Sequence, residues 1–247
     1  MESGSTRFLK NLIKAMIPTV RVRGWWRIRN RLKDLDGLEI GGPSPYFEKN
    51  GLSPLYPILK RVDHCNLSRQ VFEKQREQLP SHSFGKIIES DGLELAGVPS
   101  QSYGVIFSSH MLEHTANPLK AILEWKRILR NGGYLLLVLP YKKNTFDHQR
   151  QLTPFSHLLD DYHGEVGEGD LTHLQEILKF HDFERDEVHQ NSEEMRILAH
   201  QNHESRFLHH HVFDIPLTRQ VVEWASGRVL MSEIMDPYSF LVLARFF

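Results

Sequence analysis

The chain has 247 residues, of which 40% are hydrophobic and 25% charged, with one cysteine and a net charge of −1. That length suits one large globular domain with additions, and the lone Cys65 excludes an internal disulfide framework and fits a reducing, cytoplasmic setting. No apolar run nears the ~18 residues of a membrane-spanning helix, and no signal peptide is evident.

The charge is unevenly spread. Nine basic residues and no acidic one lie between Arg7 and Lys33, which leaves about −10 for the rest. Phe8, Leu9, Leu12, Ile13, Met16 and Ile17 recur at helical spacing until Pro18. Trp25 and Trp26 follow among cations. Residues 1–35 are therefore read as a basic amphipathic arm and 36–247 as the main domain. One reading packs the arm on the domain's own surface. Another lays residues 7–33 on an anionic membrane, at the inner face of the cell membrane. Nucleic acid, a third option, is not the expected partner. The oligomeric state is not legible.

Asp36-Gly-Leu-Glu-Ile-Gly-Gly-Pro-Ser44 reads as a buried strand followed by a sharp turn. Glycines let backbone approach a ligand where a Cβ would clash, though a plain strand–turn looks the same. Leu59–Val62 predicts a second short strand ending in Asp63, 22 positions after Gly41. An acid about 20 residues past such a loop is placed to accept from ribose hydroxyls. Ser68 caps a helix running to Leu79, before Pro80. Lys86–Asp91 and Tyr103–Ser109 read as third and fourth strands. Asn117 and Pro118 open a helix that Asn131-Gly132-Gly133 ends, and Tyr134–Leu139 reads as a central parallel strand.

The β–α alternation implies a doubly wound α/β sheet. From about 141 to 226 the pattern loosens into helices at Pro154–Tyr162, Leu171–Phe180, Ser192–Gln201 and Leu217–Ala225. A crossover needs only ~12 residues, so this stretch is a helical cap insertion. It holds eleven of the fifteen histidines. Val229–Ile234 and Phe240–Phe246 read as a terminal antiparallel hairpin.

Five segments together resemble class I S-adenosylmethionine-dependent methyltransferases of type 11. They are Leu-Glu-Ile-Gly-Gly (38–42), Val-Asp (62–63), Glu-Ser-Asp-Gly (89–92), Ser-Ser-His-Met-Leu-Glu-His (108–114) and Leu-Arg-Asn-Gly-Gly-Tyr-Leu-Leu-Leu-Val-Leu-Pro (129–140). The resemblance implies a Rossmann-like seven-stranded, mostly parallel sheet and S-adenosylmethionine as cofactor. It implies that Glu39, Gly41 and Gly42 border the methionine part and ribose, and that Asp63 takes the ribose hydroxyls. Asp91 with Gly92 would face the adenine amino group, and Ser109 with His110 would line the pocket. The sequence departs from the family where Pro43-Ser-Pro45 replaces the later glycines of the first loop. That also counts against a dinucleotide-binding dehydrogenase. Residues 141–162 are similar to methyltransferases of bacterial surface-polysaccharide clusters, which suggests a glycan, glycolipid precursor or other small-molecule acceptor.

Methyl transfer requires donor and acceptor in near-attack geometry, and a hydroxyl acceptor requires a base. His148, with Asp147 to orient it, is the first choice. His110 and His114 are further candidates, and a solvated loop histidine is the bland alternative for His148. Arg150, His157, His209 and His211 are expected on the acceptor side. His209 and His211 would share a strand face as a base, a metal pair or plain surface. His110-x-x-Glu113-His114 has metal-like spacing, but the resemblance explains it without metal, and no metal is expected. Two other functions stay open: a methyltransferase fold kept as a non-catalytic binding or assembly module, and a metal-dependent hydrolase.

Overall fold

The computed structural model describes residues 21–77, 85–186, 188 and 191–247. Within its sheet, β1 (Asp36–Ile40) is flanked in parallel by β2 (Arg61–Asn66) and by the central strand β4 (Tyr103–Ser109). The short β3 (Ile87–Glu89) and the long β5 (Leu129–Pro140) extend the parallel run on either side. β6 (Gly227–Asp236) and β7 (Ser239–Phe246) form the closing hairpin, with β7 antiparallel to β5. The order β3-β2-β1-β4-β5-β7-β6 is the seven-stranded, mostly parallel α/β sheet that the sequence implied. Residues 135–139 are all buried, as a strand covered on both faces should be. The strand order reverses between β1 and β4. That is the switch point where open α/β sheets bind ligands, at the carboxyl ends of the strands.

The helices are α1 (Trp25–Leu32), α2 (Arg69–Arg76), α3 (Pro118–Ile128), α4 (Phe155–His163), α5 (Leu174–Phe180), α6 (Ser192–Ala199), α7 (Asn202–Ser205) and α8 (Ile215–Trp224). Their starts follow capping chemistry. Ser68 Oγ accepts from Val71 N–H, Asn117 Oδ1 from Lys120 N–H, and Asp214 Oδ1 from Leu217 N–H. One face of the sheet packs Ile40 and Leu137 against Trp125, Leu158 and Val221. The other packs Phe107 and Leu136 against Ile28, Leu32, Phe47 and Tyr56. The insertion builds a small core of its own from Leu174, Ile177, Met195, Ala199 and Leu208.

Three details differ from the sequence reading. β2 starts later and runs to Asn66, which leaves Asp63 inside the strand. β5 leaves α3 directly at Leu129, so Asn131-Gly132-Gly133 lies within a strand, with Gly132 at φ 77. The described part of the basic arm is built into the domain: Val22 is buried and Ile28 and Leu32 are fully covered. Residues 1–20, with the apolar stripe from Phe8 to Ile17, lie outside the described residues, as do Leu79 and Pro80.

Candidate active site

A cavity of about 200 Å³ lies at the carboxyl ends of β1 to β4, lined by residues that include Ile40, Gly41, Asn66, Asp91, Met111 and Arg206. Beside it runs an open groove of about 480 Å³, lined by Pro43, Ser44, Tyr46, Ser109 and their neighbours. Gly41, Gln75 and His110 line both.

The glycine turn is fixed by packing. Gly41 has φ 80, and a Cβ there would lie 2.8 Å from Met111 Cγ. Gly92 is hemmed in by Ile40 Cγ2, which a Cβ would meet at 2.7 Å. Asn66, the last residue of β2, holds this turn from below. Its Nδ2 donates to Gly42 O and to Gln75 Oε1, each at 2.9 Å, and its Oδ1 accepts from Leu67 N–H.

Asp63 is not at the cavity. Its Oδ1 accepts from Lys86 N–H at 2.8 Å, its Oδ2 accepts from the Tyr103 hydroxyl at 2.9 Å, and Arg61 pairs with it at 3.2 Å. Three residues of strand, about 10 Å, separate it from the ligand end. Asn66 stands where an acid was expected, two positions before the cap Ser68. Glu39 also turns away. Alternation along β1 sends it to the face opposite Leu38 and Ile40. There it accepts from the Tyr56 hydroxyl at 2.7 Å and lies 3.0 Å from His64 Nδ1. Its carboxyl sits under Gly42, where a Cβ would come within 2.0 Å of the carboxyl carbon. Glu39 therefore supports the loop, and Gly42 contributes its carbonyl to Asn66.

Asp91 and Gly92 do line the cavity, and Ser109 lines the groove. Asp91 Oδ2 accepts from Arg206 Nη2 at 2.5 Å, and Arg206 Nη1 reaches Glu168 Oε1 at 2.7 Å. Arg206, at φ 51, is thus the insertion's clasp on the cavity rim. Nothing in the sequence marks it.

The donor and acceptor set suits S-adenosylmethionine. Ile40, Leu67 and Met111 offer apolar walls for adenine, while Asn66, Ser90 and Asp91 offer partners for an amino group and ribose hydroxyls.

Between the cavity and the groove, His110 follows β4 at φ 49. Its ring stacks on Tyr46 at 5.7 Å, its Nε2 lies 3.0 Å from Ser239 Oγ, and its Nδ1 lies 3.6 Å from Glu113 Oε1. The Tyr46 hydroxyl is 2.7 Å from the same Ser239 Oγ. Burial, helped by the nearby positive charge of His209, pulls the His110 pKa down to about 4. Burial pushes Glu113 up to about 7 and Tyr46 up to about 12.

The expected pairing of Asp147 with His148 is replaced by another. Asp147 Oδ2 meets His209 Nδ1 at 2.5 Å. Burial opposes the charge on His209, but the Asp147 carboxylate outweighs it and raises the pKa. Against burial, His209 and Arg150 hold Asp147 below the ordinary carboxylate range. His148 faces Asp182 at 3.6 Å on a separate surface groove with Tyr141 and Leu152. It lines neither the cavity nor the groove.

Arg150 is fully buried. It holds Asp147 at 3.0 Å, His209 O at 2.8 Å and His210 O at 3.2 Å, which makes it an internal tie of the insertion rather than an acceptor ligand. His157 and His211 gather with Asp161 and His173 in a cluster of their own. His114 lines the cavity and donates from Nδ1 to Phe207 O at 3.1 Å. Sequence reasoning missed Tyr46, Asn66, Glu113 as a partner of His110, Arg206 and Ser239.

A sheet of this order with its cavity at the switch point defines the class I methyltransferase fold. Solved structures with this fold include a SAM-dependent methyltransferase from Methanosarcina mazei (14% identity, 89% of this chain and 96% of that one, TM-score 0.53). A second is from Aquifex aeolicus (14% identity, 90% and 87%, TM-score 0.51). A third is from Mesorhizobium loti (12% identity, 89% and 96%, TM-score 0.50).

Residues 41–137 match the family model of the type 11 methyltransferase domain. Over these residues the chain carries a methyltransferase domain, on a class I methyltransferase fold, and a domain of this kind uses S-adenosylmethionine as its cofactor. No curated protein matches the sequence.

Proposed function

We propose that the chain methylates a hydroxyl group of an uncharged, sugar-like acceptor bound in the groove of Pro43, Tyr46, Ser109 and His110. The observation that carries this is His110, the one titratable side chain among the described residues that lines both cavity and groove. No residue lining the groove carries a formal charge with His110 neutral, which suits a neutral, hydroxyl-rich acceptor. The resemblance read in the sequence of residues 141–162 suggests a glycan or glycolipid precursor as that acceptor. S-adenosylmethionine, when bound, supplies an electrophilic methyl group. The chain's own residues deal with the acceptor proton. Tyr46, Ser239 and His110 Nε2 form a hydrogen-bond chain from the groove to a neutral imidazole, and Glu113 faces the other ring nitrogen. Incubation with S-adenosylmethionine and a panel of free and lipid-linked sugars, read by mass analysis, tests this. An added methyl ether on a sugar is the expected product. Methylation of an amine or carboxylate instead, or cofactor binding without turnover, overturns the reading.

The outer face of α1 supports a second contact. Trp26 is 62% exposed, and Arg23, Arg27, Arg29, Arg31 and Lys33 are exposed beside it, while Ile28 and Leu32 anchor the helix. An anionic membrane at the cytoplasmic face is the surface we infer for it. Co-sedimentation of the full chain with anionic vesicles, lost in a Trp26→Ala, Arg27→Ala, Arg31→Ala variant, is the expected result. Sedimentation that is absent, or unchanged in the variant, removes this contact.

A further inference from the structure

Two members of the histidine-rich insertion lie one helical turn apart on α4: His157 and Asp161. His173, just before α5, and His211, from the segment that precedes α8, close on the same point. One nitrogen or oxygen of each lies within 4.8 Å of the others. We propose that His157, Asp161, His173 and His211 form a zinc site that clamps the insertion together.

The spacings carry the argument. His157 Nε2 is 3.0 Å from His173 Nε2 and 3.4 Å from Asp161 Oδ2, and His211 Nε2 is 3.5 Å from the same oxygen. Four ligands at about 2.0–2.1 Å from a tetrahedral Zn²⁺ are separated by about 3.3–3.4 Å. Hydrogen bonding explains the cluster less well. Asp161 Oδ2 is buried without a hydrogen-bond partner, between two imidazoles that both stand too far for a good bond. Unpaired buried carboxylate oxygen is costly, and a shared cation satisfies all four donors at once.

Three imidazoles and one carboxylate select a borderline transition ion. Mg²⁺ and Ca²⁺ require more oxygens. The His157 side chain is 36% exposed and His211 is fully covered, so an ion has a way in and a closed inner wall. Glu176 Oε2 lies 3.9 Å from His173 Nδ1, on the side where carboxylates orient ligand imidazoles. One contact must change: His211 Nε2 stands 3.2 Å from Ala116 O and would leave that carbonyl for the metal.

Such an ion would join three pieces of the insertion that are far apart in sequence. His211 adjoins the segment that carries Arg206 to the cavity rim and His209 to Asp147. The site is therefore structural, and it holds whatever the acceptor is.

The test uses the full chain, purified without a histidine tag. Elemental analysis should find about one zinc per chain. Exchange with Co²⁺ should give the intense visible bands of tetrahedral cobalt. The His157→Ala variant, altered only at the exposed rim, should bind added Zn²⁺ at least about ten-fold more weakly. His157→Ala with His173→Ala should retain none. The His114→Gln variant controls for the separate Glu113–His114–His209 cluster and should keep its zinc. A parent chain that carries no zinc and takes up none on titration overturns the proposal. So does zinc retained in the double variant, or lost in His114→Gln alone.

Discussion

The cavity at the strand ends has two walls of different origin. One is the edge of the sheet: Ile40, Gly41, Asn66, Asp91 and Gly92, each placed by the end of a strand. The other is the insertion, which reaches the rim through Ser205 and Arg206 and is held by buried pairs such as Asp147–His209 and Arg206–Glu168. The first wall depends on local sequence, because strand period and glycine turns set it. The second depends on contacts between residues tens of positions apart. The same contrast applies to the chemistry. His110 comes from the sheet side and faces both cavities, while His148, from the insertion side, faces Asp182 at the surface.

The contrast is sharpest in catalysis. With the acceptor found, His110→Ala should lower turnover by ~10²–10⁴ and leave cofactor affinity within a few-fold, whereas His148→Ala should stay near the parent. Steady-state rates and calorimetry on both variants decide between them. If His148→Ala falls as far as His110→Ala, the insertion supplies the base after all. The pH profile adds a sign. On the proposed mechanism the neutral imidazole of His110 is the active form, and burial lowers its pKa to about 4 from the usual 6.5. Activity limited by His110 should therefore hold from pH 8 to about 5 and fall through about 4, not through 6.5.

Next in size is the arm. Leu32→Ala removes a fully buried side chain of the sheet's covering layer. It should cost about 2–5 kcal/mol in denaturant unfolding, and a chain starting at Asp34 should not fold stably. An unchanged midpoint would make α1 an appendage.

The smallest effects separate the two ends of β2. Asp63→Ala strands the Tyr103 hydroxyl and Lys86 N–H, and should cost about 1–3 kcal/mol of stability. Asn66→Ala frees the glycine turn and should weaken the cofactor by about ten-fold, with less loss of stability. The reverse pattern would move the cavity toward the interior of the strand.

The sheet was legible because its signals are short-range. Apolar runs at 103–109 and 134–139, the caps Ser68 and Asn117, and the Gly-Gly turn each act over a few residues. Asp63 was misplaced because the Val-Asp pair hid a strand that continues three residues further, to Asn66. The Asn66-Leu-Ser68 spacing to the helix cap was the available signal. Glu39 shared the misplacement, since strand alternation sends it opposite Ile40. In the insertion, histidine content was visible but not the pairing. Asp147 could have oriented His148, its neighbour in sequence, yet the fold brings His209, 62 residues away, to its carboxylate. Arg206 and Ser239 gave no signal because only the closed fold gives them partners.

The central claim is that the cofactor lies at the strand ends, against Asp91 rather than Asp63. Calorimetric titration of S-adenosylmethionine into the folded Asp91→Ala and Asp63→Ala chains tests it most directly. The account predicts about ten-fold or greater loss of affinity for Asp91→Ala and near-parent affinity for Asp63→Ala. Loss confined to Asp63→Ala, with Asp91→Ala unchanged, would contradict it.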